Sequence, residues 1–157
     1  MRCTSKGGRT GRTAHLPQIF PLQSAGVRLK ALVWILRPGR HGPQVLLLER
    51  PDRRGGGEHP VTGKADPGEL AAACASREAL EETGLRGDLV DLRLAHRYRG
   101  RKGDFEEHAF LLRVPADAAP TLSDEHVRHR WASRAEARAV VEWDAHKQAL
   151  DLAFEGF

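Results

Sequence analysis

The chain has 157 residues, of which 40% are hydrophobic and 29% are charged, a balance that suits one globular domain and argues against wholesale disorder. No stretch approaches the roughly 18 apolar residues of a membrane span, and the first 30 residues lack the apolar segment of a secretory signal. Cys3 and Cys74 stand in no metal-binding spacing, which argues against a disulfide framework and a structural zinc site. We therefore expect a cytoplasmic protein.

The positive charge is concentrated near the N-terminus. The net charge is +4, yet the first acidic residue is Glu49, and residues 49–157 carry 17 basic residues against 21 acidic ones. A nucleic-acid-binding body would need positive charge on its folded surface, so we do not expect nucleic acid as the main partner. Residues 1–26 show no sustained period and predict a mobile basic tail, which leaves residues 27–157 as a single domain.

The elements follow from hydrophobic periodicity. Alternating or short apolar runs predict strands over residues 27–36, 44–49, 89–98, 107–114 and 126–132. Strong helix formers predict a helix over residues 69–83. Ser133 and Glu136 form a capping-box signature for a short helix. The last segment, from Trp143 to Phe154, has helical spacing, and we expect its apolar side chains to dock on the core.

Three glutamates share one face of the helix predicted over residues 69–83. Glu78, Glu81 and Glu82 stand at i, i+3 and i+4, so their Cβ atoms lie within roughly 6 Å of one another and the like charges repel. A hard cation such as Mg²⁺ removes that repulsion and accepts phosphate oxygens as further ligands. The same spacing is also typical of a solvated acidic face, and these three residues alone leave both interpretations open.

A longer pattern surrounds these glutamates. It reads Gly-x5-Glu-x7-Arg-Glu-U-x-Glu-Glu-x-Gly-U, in which U is a bulky aliphatic residue, and a chance match anywhere in the chain is on the order of 10⁻⁷. The matching residues are Gly63, Glu69, Arg77, Glu78, Glu81, Glu82, Gly84 and Leu85. The pattern resembles the box of the Nudix hydrolases, from which only Ala79, at the first U position, departs. For residues 27–154 the resemblance implies an α+β fold, an α/β/α sandwich with a mixed β-sheet between helices.

Two further segments extend the resemblance. Residues 59–64 are similar to the lead-in of bacterial nucleoside-triphosphate and dihydroneopterin-triphosphate pyrophosphatases, although Glu58 stands where many relatives have an aromatic residue. The Glu125-His126 pair, followed by Trp131, resembles a motif that those enzymes share with dinucleoside-tetraphosphate hydrolases. The resemblance therefore implies cleavage of a phosphoanhydride in a small nucleotide-like molecule.

The resemblance also implies roles for individual residues. Arg77 is expected to orient a glutamate through a bidentate pair, and Glu69 either to complement the helix dipole or to brace the loop. Glu125 is either an ordinary loop carboxylate or a further metal ligand or general base, and Glu78 is the other candidate for activating water. The implied Mg²⁺ ligands, with Mn²⁺ as a possible substitute, are the Gly63 carbonyl, Glu78, Glu81 and Glu82. The candidate substrate-binding residues are Arg28, Lys30, Arg50, His59 and Lys64.

The function expected from the resemblance is Mg²⁺-dependent hydrolysis of a nucleotide-like triphosphate to a monophosphate and pyrophosphate, with Glu78, Glu82, Arg77 and Glu125 as catalytic residues. A nucleoside triphosphate or dihydroneopterin triphosphate is the first choice of substrate. Two alternatives stay open: a dinucleoside-polyphosphate hydrolase, and a nucleotide-binding module without turnover. The sequence does not specify the oligomeric state.

Overall fold

A computed structural model describes residues 26–157, so nearly all of the predicted tail, residues 1–25, lies outside the described residues. The strands are β1 (Val27–Arg37), β2 (Gln44–Glu49), β3 (Glu58–His59), β4 (Val61–Lys64), β5 (Asp88–Gly100), β6 (Gly103–Arg113) and β7 (Arg128–Ala132). The helices are α1 (Ala71–Thr83), α2 (Arg134–Val140) and α3 (Asp144–Glu155), with a 3₁₀ turn at Asp52–Arg54. None of these helices is both long and apolar enough to cross a membrane.

Strand β1 is the centre of one mixed sheet. It runs parallel to β6 along its length, and antiparallel to β4 near its start and to β2 near its end. Strand β5 completes the sheet beyond β6, while β3 and β7 pair with β2. The long β5–β6 hairpin and the parallel β1–β6 pair together place residues from distant parts of the sequence side by side.

Alternation along β1 divides the core into two layers. Ala31, Val33 and Ile35 pack with α1 on one face of the sheet. Leu32, Trp34 and Leu36 pack with α2 and α3 on the other. Helices thus cover both faces of a mixed sheet, which confirms the predicted α/β/α sandwich.

Helix α1 lies against the sheet through small side chains. Cys74, Ala75 and Ala79 are fully buried, so the alanine at the position of a bulkier residue lets the helix approach the strands closely. Gly84 ends the helix with φ 68°, the left-handed conformation that favours glycine. Burial also raises the pKa of the Cys74 thiol to about 11, so this cysteine packs as a small apolar residue.

Several predicted boundaries are wrong. The helix over residues 69–83 begins at Ala71, with Glu69 in the preceding turn, and the strand predicted from residue 126 begins at Arg128. Strands β3 and β4 were not predicted, because each is short and Pro60 separates them. Trp143 does not dock on the core: it stands before the first turn of α3 and is 62% exposed.

Candidate active site

The acidic helix meets strand β4 where a glycine removes a side chain. A Cβ atom on Gly63 would lie 1.9–2.3 Å from the side chain of Glu78, a distance that real structures do not tolerate. Any other residue at this position would push α1 away from β4. The loop between β4 and α1 therefore brings the Gly63 backbone and the Glu78 carboxylate into direct contact.

Arg77 connects the loop to the acidic face of α1. Its guanidinium donates two hydrogen bonds to Glu69, of 2.9 and 2.8 Å, in the bidentate geometry expected from the sequence. It also donates to Glu78 at 2.8 Å, to Glu81 at 3.2 Å and to the Lys64 carbonyl at 3.0 Å. One cation thus fixes three carboxylates and the backbone of the strand that carries Gly63.

Glu69 has the geometry of a brace for the loop. Besides pairing with Arg77, it accepts a hydrogen bond of 2.8 Å from the Asp66 backbone N–H. The hydrogen bonds from Arg77 and Asp66 lower the pKa of its carboxyl to about 2. Its contacts are therefore with the loop and with Arg77, and the carboxylate stays ionised across the ordinary pH range.

Glu82 forms no ion pair with an arginine or lysine of residues 26–157. It is 5% exposed, and its Oε2 atom has no hydrogen-bond donor among these residues. Nε2 of the buried His126 lies 3.6 Å from this atom. Burial and the negative charges of Glu78 and Glu125 raise its pKa to about 8. Burial likewise raises the pKa of Glu78, although Arg77 opposes the shift. The site contains more negative charge than its own cations neutralise.

The Glu125-His126 pair lies next to this acidic face. Glu125 is half-exposed, forms an ion pair of 3.2 Å with Arg54, and is close enough for its charge to raise the pKa of Glu78 and Glu82. His126 is buried, 5.1 Å from the His59 ring between centroids. Burial and the charge of Arg50 lower the pKa of His59 to about 3, so His59 is a neutral side chain next to His126.

Three of the predicted substrate-binding residues lie close together on the face of the sheet that is opposite to α1. The charged groups of Arg28, Lys30 and Lys64 lie 5.6, 6.0 and 5.7 Å from the centroid of the Phe105 ring. Arg28 and Lys64 are exposed. Arg50 stands apart from them, donates to Thr62 at 3.4 Å, and acts electrostatically on Glu82. The predicted cations therefore form one cluster of three and one that faces the acidic group.

Sequence reasoning missed a buried polar group beside Lys30. Glu107 is 1% exposed and forms an ion pair of 3.0 Å with Lys30, whose Nζ also donates to Tyr98. His96 and His146 lie 3.3 and 3.0 Å from the same carboxylate. One feature of the sequence could have predicted that Glu107 is buried. In strand β6, residue 107 points to the same face as the core residues Ala109 and Leu111.

The position before the lead-in segment is occupied by an ion pair. Glu58, which replaces the aromatic residue of many relatives, accepts two hydrogen bonds from Arg130 of β7, of 2.5 and 2.8 Å. Its carboxylate is therefore engaged in joining β3 to β7. The described residues offer no stacking surface at position 58.

Comparison with known proteins identifies the family of this chain. The NUDIX domain model matches residues 26–152. The chain belongs to the Nudix family. A Myxococcus xanthus octanoyltransferase is 41% identical over 96 residues, which are 57% of this chain and 27% of that protein. The chain spans about a quarter of the length of the curated relatives it matches.

Solved Nudix structures share the fold. The C. elegans Ap4A hydrolase in a binary complex superposes with a TM-score of 0.72 and 23% sequence identity, and the match covers 83% of this chain and 100% of that chain. The E. coli dihydroneopterin triphosphate pyrophosphohydrolase superposes with a TM-score of 0.71 and 22% sequence identity, and the match covers 82% of this chain and 96% of that chain. Nudix hydrolases act on small nucleotide-like substrates and generally need a divalent metal.

Proposed function

We propose that this Nudix hydrolase cleaves a nucleotide-like triphosphate, either a nucleoside triphosphate or dihydroneopterin triphosphate, to a monophosphate and pyrophosphate with Mg²⁺ as its metal. The observation that carries the proposal is the separation of charge across β4. Gly63 lies against Glu78 on the acidic face of α1, whereas its neighbour Lys64 joins the cations around Phe105. A chain of phosphates with a bound cation complements both groups of charges.

The donor set fits Mg²⁺ or Mn²⁺. Glu78, Glu81 and Glu82 offer hard carboxylate oxygens, the Gly63 backbone lies against Glu78, and the buried Oε2 of Glu82 accepts no hydrogen bond from the described residues. When bound, the metal neutralises charge on the phosphate oxygens and acidifies water. Mn²⁺ prefers the same ligands and would substitute for Mg²⁺.

The chain's own residues supply positioning and proton transfer. Arg77 holds Glu69, Glu78 and Glu81 in place, so it is a positioning residue. Because Glu78 is fixed between Arg77 and Gly63, we assign proton removal from water to Glu125, which pairs with the half-exposed Arg54. Arg28, Lys30 and Lys64 would contact the phosphates that leave as pyrophosphate, and Arg50 would contact those nearest the acidic face.

The test is a panel of (deoxy)nucleoside triphosphates, dihydroneopterin triphosphate, diadenosine polyphosphates and nucleotide sugars, each with Mg²⁺, with Mn²⁺ and with chelator. Chromatography identifies the products, and inorganic pyrophosphatase in half of the samples separates pyrophosphate from orthophosphate release. We expect metal-dependent formation of a monophosphate and pyrophosphate from a triphosphate. Turnover of only the dinucleotides would identify the dinucleoside-polyphosphate hydrolase instead. Metal binding without any turnover would identify a nucleotide-binding module.

A further inference from the structure

The buried polar group beside Lys30 is independent of the acidic helix. His96 lies on β5, Glu107 on β6 and His146 near the start of α3. Glu107 is in phase with residues that pack against α3, so the group lies on the face of the sheet opposite α1. The side chains of His96, Glu107 and His146 are 26%, 1% and 13% exposed, which leaves the two histidines accessible from one side.

The ligand atoms of these residues converge. The Nε2 atoms of His96 and His146 lie 3.3 and 3.0 Å from the same oxygen, Oε2 of Glu107, and all three atoms lie within 4.8 Å of one another. Zinc binds nitrogen and oxygen at about 2.0–2.2 Å, so neighbouring ligands of a tetrahedral ion are about 3.3 Å apart. The two separations from Oε2 are close to that value, and the two nitrogens lie within 4.8 Å of each other, so modest side-chain movements would create the coordination geometry.

The chemistry of the group differs from that of a simple ion pair. Lys30 approaches the other oxygen of Glu107, Oε1, at 3.0 Å, and its ammonium alone balances the charge of the carboxylate. The two histidines, from a strand and from a helix of another layer, both face Oε2. A neutral imidazole adds no compensating charge, and with its proton on Nδ1 it offers the Nε2 lone pair to a metal in place of the hydrogen bond that His146 Nε2 makes with Glu107 Oε2.

We infer that His96 Nε2, His146 Nε2 and Glu107 Oε2 form a second metal site, for a borderline ion of the zinc class, with water in the fourth position. Two imidazoles and one carboxylate suit Zn²⁺ or Co²⁺ better than Mg²⁺, which prefers oxygen ligands alone. The sequence argued against a structural zinc site on the grounds of its cysteines, and this site contains none. Because its ligands join α3 to β5 and β6, the ion would fasten that helix to the sheet.

The test is a Co²⁺ titration of the full chain without a polyhistidine tag, in excess Mg²⁺ so that the acidic helix is saturated. We expect one equivalent of Co²⁺ to give the intense visible bands of a four-coordinate ion, which six-coordinate Co²⁺ lacks, and Zn²⁺ to abolish them. The bands should be lost in His96→Ala and in His146→Ala. They should persist in the matched control His129→Ala, in which an exposed histidine of β7 is removed.

Two further variants keep the inference falsifiable. His146→Phe retains a ring at the position where His146 packs edge-on to His96, so a folded variant without the bands identifies a lost ligand rather than a lost fold. Lys30→Gln removes the cation that competes for Glu107, and we expect a lower Kd for Co²⁺. Wild-type protein without the bands would overturn the site. Bands that survive both histidine variants, or that disappear in His126→Ala, would overturn it as well.

Discussion

Two buried glutamates on opposite faces of one sheet show how differently burial acts. Glu82 and Glu107 are 5% and 1% exposed. Burial and neighbouring carboxylates raise the pKa of Glu82 to about 8. Burial also opposes the charge on Glu107, yet the hydrogen bond from His146 and the charge of Lys30 prevail and hold its pKa below the ordinary value. Position in the core therefore does not decide the charge of a carboxyl group, whereas the nearby donors and cations do.

The carboxylates on the two faces of the sheet differ in how their negative charge is compensated. Glu107 carries its own counter-ion and remains charged without any added ligand. Glu82 and Glu78 lack sufficient compensation, so an external cation stabilises their ionised form. On this basis Mg²⁺ binding at the acidic helix should release protons near neutral pH, whereas metal binding at Glu107 should release few.

The largest expected effect is on turnover. Glu82→Gln removes the charge of the uncompensated carboxylate at nearly constant shape, and we expect kcat/KM in Mg²⁺ to fall by about 10³-fold, because a catalytic metal supplies several kcal/mol of transition-state stabilisation. Glu155→Gln, at an exposed position of α3, is the matched control. Wild-type turnover in Glu82→Gln would show that this face does not hold the catalytic metal.

The second prediction concerns stability against pH without metal. The pKa of Glu82 rises from 4.5 to about 8 on folding, so between these values the folded protein retains a proton that the unfolded chain has lost. The contribution is fully present below pH 4.5, and the free energy of unfolding should fall as the pH rises towards 8, by up to about 4 kcal/mol.

Urea unfolding in chelator at several pH values checks this expectation. Glu82→Gln should be the more stable protein at pH 8, and the difference from wild type should vanish near pH 4. Added Mg²⁺ should restore the stability of the wild type at pH 8. A difference between the two proteins that does not change with pH would show that Glu82 ionises normally.

The third prediction concerns the opposite face. Glu107→Gln leaves the ammonium of Lys30 partly buried without its counter-ion, and we expect a loss of about 3 kcal/mol in the free energy of unfolding at pH 7. Glu106→Gln, at the adjacent and more exposed position of β6, is the control and should cost less than about 1 kcal/mol. If both variants lost the same free energy of unfolding, the buried ion pair of Glu107 would be no more important for stability than the exposed ion pairs of Glu106.

The smallest effect is expected for the positioning residue. Arg77→Lys keeps the charge but loses the bidentate pair with Glu69 and the contact with the Lys64 carbonyl. We expect kcat/KM to fall about 10–100-fold, as for other residues that orient metal ligands, with a weaker apparent affinity for Mg²⁺. Arg99→Lys, which disrupts a similar bidentate pair with Asp104 on the exposed hairpin, should change neither quantity.

Local rules predicted the helix and most strands but not their junctions. The predicted start of the helix, residue 69, lies two residues before the observed start at Ala71. Glu69 is a good helix former, but in the structure its side chain accepts a hydrogen bond from the Asp66 backbone in the preceding turn. Strands β3 and β4 are two and four residues long, too short for alternation to be recognised. Trp143 has the spacing of a core residue but precedes the first helical turn, so it remains exposed.

The sequence by itself determined the spacing of the box, and with it the family and the common face of Glu78, Glu81 and Glu82, because helical geometry is fixed by local separation along the chain. It also determined which residue types Mg²⁺ would find there. Only the tertiary structure decided that Glu82 is buried without a cationic partner among the described residues, while Glu107 contacts Lys30, His96 and His146. Burial and charge pairing depend on residues that are distant in sequence, brought together by the parallel β1–β6 pair and by the docking of α3.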